Sequence, residues 1–320
     1  MKRRSRNLVA AILSMCGLAM LQPASAQTDI DAIMMEKNAF CVGPMYSYSS
    51  WTKYWEGTFK RENLNFGRVS TQMYSVMGNY GITRKLNALF SVPYVKTHAT
   101  KGTWHGYDGI QDLSLFLKYK AYEKRIGDGK LSVFGILGGS VPLSNYAADY
   151  LPLSLGLKSR TVSARLMVDY EQGNLFATAS GTYVLRDNIE IDRDSYYTTE
   201  MHFSNKVEMP DAASYNVRAG YRSNRWIAEA VFNGWKTLGG FDITKNNMPF
   251  PSNRMNATMV GVNVKYVLPM LPQLSIVGGG NYTISGRNVG QSTAVYGSLF
   301  YVFDFSPKQK KSSQPSSNSN

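Results

Sequence analysis

Along most of this chain, apolar and polar residues alternate with a strict period of two, in segments separated by turn-forming residues. Successive side chains of a β-strand point to opposite faces, so this period describes a strand with one apolar and one polar surface. No helical period of 3.6 persists over a useful length. From Asp112 to Tyr122, Leu113, Leu115, Leu117, Tyr119 and Ala121 share one face, while Asp112, Ser114, Lys118 and Lys120 share the other. Between Thr161 and Tyr170, Val162, Ala164, Leu166, Val168 and Tyr170 oppose Thr161, Ser163, Arg165 and Asp169. Between Ala213 and Arg222, Tyr215, Val217, Ala219 and Tyr221 oppose Ser214, Asn216, Arg218 and Arg222. The pattern predicts twelve strands, at about 40–48, 67–79, 85–95, 110–123, 131–142, 160–170, 175–186, 212–222, 225–235, 255–268, 273–284 and 292–305.

Composition narrows what these strands can build. Hydrophobic residues at 43%, aromatic residues at 12% and charged residues at 18% of 320 positions exclude a disordered chain. A mean hydropathy of -0.26 excludes a bundle of apolar spanning helices. Lys2, Arg3, Arg4 and Arg6, the apolar run Leu8 to Leu21 and the small residues Ala24-Ser25-Ala26 read as a secretory signal peptide (1–26) cleaved after Ala26. Its removal takes away four of the 35 Lys and Arg and none of the 22 Asp and Glu, so the net charge falls from +13 to +9. Cys41 is then the only cysteine, which excludes an internal disulfide, and with His98, His105 and His202 it offers no zinc-site spacing.

The connections between strands alternate in length. Thr83-Arg84, Ile126 to Gly129, Gln172 to Asn174, Ser223-Asn224 and Pro269 to Pro272 are tight turns, whereas the intervening links, about 49–66, 96–109, 143–159, 187–211, 236–254 and 285–291, are mostly much longer. Short turns at one end and long loops at the other characterise an outer-membrane barrel, with periplasmic turns and external loops. Strand lengths suit a tilted span of about 9–11 residues. Aromatics near the strand ends, such as Tyr46, Tyr48, Trp51 and Tyr94 on the loop side and Tyr119, Tyr170 and Tyr221 on the turn side, suit two interfacial girdles. The predicted fold is therefore all-β: a transmembrane antiparallel up-and-down β-barrel over 40–305, preceded by an N-terminal segment 27–39 that could pack in the pore and followed by a polar tail 306–320.

If the apolar faces meet lipid, the polar faces line the lumen. Asp112, Lys118, Lys120, Arg165, Asp169, Arg218, Arg222, Glu229 and Lys265 are then the candidate lumen-lining residues. Two readings follow. Their cationic excess biases passage toward anionic solutes, or they pair across the wall and fill the barrel with ion pairs, Asp112 and Glu229 foremost. A lipid hydrolase would need Ser and His together at the membrane boundary, but the three His fall in or beside long loops and no G-x-S-x-G turn is present. No phosphate-binding glycine loop follows a strand, so no cofactor is implied. The basic residues alternate into a lumen instead of clustering with exposed aromatics, which argues against nucleic-acid binding.

The run Asn79-Tyr80-Gly81-Ile82-Thr83 through Ser91-Val92-Pro93-Tyr94, then Asp108-Gly109-Ile110-Gln111-Asp112-Leu113 with Lys118-Tyr119, then Ser140-Val141-Pro142, resembles the outer-membrane proteins named for the meta-pathway of phenol degradation. The resemblance spans residues 80 to 145, with Gln111 where Gly is usual and Leu143-Ser144 in place of Thr-Gly. It implies a transporter-like barrel for hydrophobic or aromatic compounds, without catalysis. The expectation is an outer-membrane channel for passive passage of small solutes in a Gram-negative bacterium, in contact with membrane lipid. The alternatives are a non-transporting surface protein whose loops 187–211 and 236–254 bind a partner, and the lipid hydrolase.

Overall fold

The computed structural model describes residues 28–244 and 247–306. The segment 1–26, expected to be a signal peptide, and the tail beyond Ser306 lie outside them. No helix occurs among the described residues, and twelve long strands form one antiparallel sheet. They are β1 (Ala39–Trp51), β2 (Val69–Gly81), β3 (Leu86–Ala99), β4 (Asp112–Ile126), β5 (Gly129–Pro142) and β6 (Thr161–Gln172), then β7 (Leu175–Arg186), β8 (Ala212–Arg222), β9 (Trp226–Thr237), β10 (Asn256–Val267), β11 (Leu274–Arg287) and β12 (Thr293–Asp304). Each pairs with its sequence neighbour, and β1 pairs with both β2 and β12, which closes the barrel. Closure removes the free edges that an open sheet exposes.

The alternation in sequence becomes the two surfaces of the wall. Leu115, Leu137, Leu166, Val162, Val262 and Leu299 are exposed on the outside, in a band far larger than soluble proteins leave in water. In the same strands Lys118, Ile136, Met167 and Lys265 are buried inside. Near the short turns Trp226 and Tyr266 lie 4.3 Å apart, and midway along the outer wall Tyr46 and Tyr74 lie 5.0 Å apart. Two of the tight turns need a residue in the left-handed region, and Gly127 and Gly173 supply it with φ of 59° and 60°.

Strand boundaries depart from the sequence reading by a few residues. β4 and β5 run to within two residues of each other, so the turn is only Gly127-Asp128. β4 also carries a bulge: Lys120 faces Phe134, but Tyr122 faces Val133. The extra residue, Ala121, breaks the alternation and brings Glu123 to the same side as Lys120, with their charges 2.6 Å apart.

The long connections carry short hairpins of their own. Lys53–Glu56 pairs with Phe59–Glu62, Ile189–Glu190 with Lys206–Val207, and Tyr196–Tyr197 with Met201–His202. Ala148, Ile189, Ile191, Tyr196, Val207 and Met209 form a buried apolar cluster among these loops. Tyr146, fully buried, donates its hydroxyl to Asp112 at 2.7 Å and accepts from the Lys158 backbone N–H at 2.8 Å, fixing the 143–160 connection to the start of β4.

Candidate functional site

The lumen is divided by the chain's own N-terminal segment. Residues 28–38 precede β1 on the short-turn side and enter the barrel, where Ala32 and Met34 pack on Phe134, Ile136 and Met167, and Met35 packs with Cys41 and Phe300. Polar anchors complete the seat. Lys118, wholly buried on β4, donates its Nζ to the Thr28 carbonyl at 2.9 Å, the Ile33 carbonyl at 2.9 Å and Asp31 Oδ1 at 3.1 Å. These three acceptors satisfy all three donors of an ammonium. Asp31 in turn accepts from the backbone N–H of Thr28 and of Ile33, so its charge is held by a turn of its own segment. Arg165 on β6 binds Asp29 at 2.8 Å through both its carboxylate and its carbonyl.

Beyond the segment lies a cavity of about 370 Å³. Its apolar wall carries Met45 and Met73, Met77, Val277 and Phe300, from β1, β2, β11 and β12, and its polar wall carries Arg218, Glu229, Asn263 and Lys265 from β8 to β10. Toward the short turns a second cavity, of about 320 Å³, is lined by Ala32 to Glu36 together with Arg84, Lys120, Glu171 and Arg222. Ile33 lines both, so the segment stands as a septum between a turn-side vestibule and the central chamber.

The structure places the residues expected at the lumen as follows. Arg218 Nη1 and Glu229 Oε1 are 2.6 Å apart, with Asn216 and Asn263 completing their hydrogen bonds. Arg222 reaches Asp169 at 3.3 Å and Glu171 at 3.0 Å, and its guanidinium stacks 3.9 Å from the Phe176 ring centre. Asp169 also accepts from Thr178 at 2.5 Å. Lys120 sits in the vestibule beside Glu123. Asp112 stands at the loop end of β4, met by the Tyr146 phenol and not by a cation. Lys265, only 4% exposed, lines the central chamber and makes no hydrogen bond or close ion pair with any described residue.

Most of the lumen's cations therefore face carboxylates, and several of those carboxylates were absent from the sequence reading. Glu171 and the amide Asn263 keep step with Asp169 and Lys265 along their strands, so a census of every polar residue on the inner face would have found them, as the alternation found Asn216 beside Arg218. Tyr296 belongs with them; its hydroxyl bonds Asn263 at 3.2 Å, and a side chain at Gly279 would come within 2.5 Å of that hydroxyl. The glycine run in β11 makes room for this ring. Asp29 and Asp31 carry no such signal, because their segment has no period and only its path through the barrel brings them to Arg165 and Lys118.

At the loop end, Asn288 joins three connections. Its carbonyl oxygen accepts from the Gly57 and Ile243 backbone N–H groups at 2.7 and 3.1 Å, and its amide donates to Asp242 and to the Arg254 carbonyl, each at 2.7 Å. Asp242 also takes a two-point bond from Arg287 at 2.6 and 2.7 Å. The Arg287 and Asn288 donors hold the Asp242 carboxyl at about 2, below its ordinary 3.8. A carboxylate with a lowered folded-state pKa adds stability above the unfolded value and loses it as pH falls through the folded one. Pepsin cleavage of the loops should therefore rise between about pH 4 and pH 2 in the native protein, and Asp242→Asn should be cleaved at pH 4 as readily as the native chain at pH 2.

No family model matches the sequence, and no curated protein matches it. Among solved structures, the chain is similar to an outer membrane channel from Pseudomonas putida F1, with a TM-score of 0.67 and 13% identity over 87% of this chain and 100% of that one. Weaker likenesses include the translocator domain of the autotransporter NalP from Neisseria meningitidis (TM-score 0.45, 11% identity, 94% of this chain and 98% of that one). Another is to a Pseudomonas aeruginosa FadL homologue (TM-score 0.36, 11% identity, 84% and 91%). The likeness to the Pseudomonas putida channel, which spans that whole chain, establishes that this protein has the fold of an outer-membrane channel barrel.

Proposed function

We propose that this protein is an outer-membrane channel through which small solutes pass passively, hydrophobic or aromatic compounds among them. In this reading the chain resides in the outer membrane of a Gram-negative bacterium after cleavage near Ala26, is akin to the meta-pathway family of transporter-like barrels, and catalyses no reaction. The observation that carries it is the central chamber: a barrel serving only as an anchor would be filled, but this one keeps a space of about 370 Å³ lined by both thioether and charged side chains. Apolar outer strands supply the membrane contact, and the two-sided lining suits solutes with an apolar body and a polar group. The purified barrel in liposomes should admit an aromatic acid faster than a sugar of similar size. Impermeability to both would overturn the reading.

A second role has one observation behind it. Tyr197, Met201 and Phe203 stand exposed at the tip of the 187–211 loop, with Phe203 at 88%. Such a tip favours contact with a surface partner, and its truncation should abolish that contact without changing solute uptake.

A further inference from the structure

We infer that the central chamber is a binding site for small monocarboxylates with an apolar body, and that Lys265 is the residue that takes the carboxylate. The inference rests on the channel reading and names the class of solute that the chamber retains.

Six cations of the lumen were expected from the sequence, and five of them lie within 4 Å of a carboxylate oxygen: Lys118, Lys120, Arg165, Arg218 and Arg222. Lys265 is the sixth. It projects from β10 between Ile227 of β9 and Val277 of β11, both of which also line the chamber. At 4% exposure it is buried as deeply as the paired cations, yet no described residue accepts its hydrogens. An ammonium carries three donors and no acceptor, and a buried charge whose donors go unmet is costly. Its donors are met by whatever occupies the chamber.

The surrounding charges leave room for an anion. Asp31 and the Cys41 thiol, when ionised, attract Lys265, and Arg222 repels it. The acids on the chamber wall, Asp31 included, are already engaged: Asp31 by Lys118, Asp29 by Arg165 and Glu229 by Arg218. A carboxylate at Lys265 therefore meets a cation free to make charge-assisted bonds, which are roughly twice as strong as neutral ones. The rest of the ligand falls against Met45, Met73, Met77 and Phe300. Methionine adapts its shape and makes favourable contacts with aromatic rings, so this wall accepts an aromatic or a short aliphatic body without demanding one outline. The volume, about 370 Å³, lies at the small end of small-molecule pockets.

The test uses the full mature barrel in detergent, with benzoate, benzyl alcohol and toluene as probes in calorimetric titration. Benzoate should bind at least about tenfold more tightly than benzyl alcohol, the increment of one hydrogen bond to a charged group. Lys265→Met, which keeps length and apolar volume, should erase that preference, and Lys265→Arg should restore it. Val277→Trp, which fills the chamber from its apolar side, should weaken all three probes. Equal affinity of the native barrel for benzoate and benzyl alcohol would overturn the inference, as would an undiminished benzoate preference in Lys265→Met. Liposome flux separates the two readings. Lys265-dependent binding by an impermeable barrel would sink the channel and keep the site, and flux without benzoate binding would do the reverse.

Discussion

Replacing Lys118 with Met is expected to raise the open fraction of the barrel about a hundredfold, read as single-channel conductance in a planar bilayer. Lys118 ties three points of the N-terminal segment to the wall of β4, and its substitution leaves Asp31 as a buried charge without its cation. Breaking a buried pair from one side costs about 3–5 kcal/mol. Part of that cost is relieved if the segment leaves the lumen and Asp31 regains water, so the substitution favours the open state specifically. Even 3 kcal/mol is a factor of about a hundred in the ratio of two states. Ala32, Met34 and Met35 still hold the segment by apolar contact, which is why complete release is not expected. Deleting residues 28–38 should exceed the effect of Lys118→Met, and a conductance unchanged in both variants would show that the segment does not obstruct the path.

Arg218→Met is expected to destabilise the barrel by about 3 kcal/mol, measured as the urea dependence of its heat-modifiable migration on a gel. Arg218 and Glu229 face each other across the β8–β9 pair with side chains 9% and 4% exposed, so removing the guanidinium strands a carboxylate. The figure sits at the lower edge of the range for broken buried pairs because Glu229 lines the chamber, where water can reach it, and keeps its bond from Asn263. The double variant Arg218→Met, Glu229→Leu should recover most of the loss, since an apolar pair of similar volume often replaces a buried ion pair at little cost. A double variant as unstable as the single one would place the loss in packing of the arginine stem.

Both results bear on how much of the site could be read from residues alone. Arg218, Glu229, Lys118 and Lys265 were legible because β-strand alternation assigns a face to each side chain without reference to any other strand. Their pairing was not legible. Arg218 meets Glu229 because β8 and β9 are hairpin neighbours in a particular register, with Arg218 opposite Val231 and Gly220 opposite Glu229. A shift of one residue would turn either side chain to lipid. Lys120 and Glu123 show the converse, since alternation alone sets them on opposite faces and only the bulge at Ala121 brings them together. Asp112 was expected among the paired charges, but a tyrosine from a long loop covers it, and the fold of a loop follows no period.

The sequence by itself determined the strand count, the closed topology with short turns and long loops at opposite ends, and the division of the wall into an apolar outside and a polar inside. These follow from local rules: side-chain period, turn residues and strand length act within a dozen residues of one another. Tertiary structure alone decided that the cations form neutralised pairs, that residues 28–38 turn back into the lumen, and that one lysine is left facing a chamber. Those outcomes depend on contacts between residues such as Asp31 and Lys118, 87 positions apart. Only closure of the barrel brings such residues within hydrogen-bonding distance.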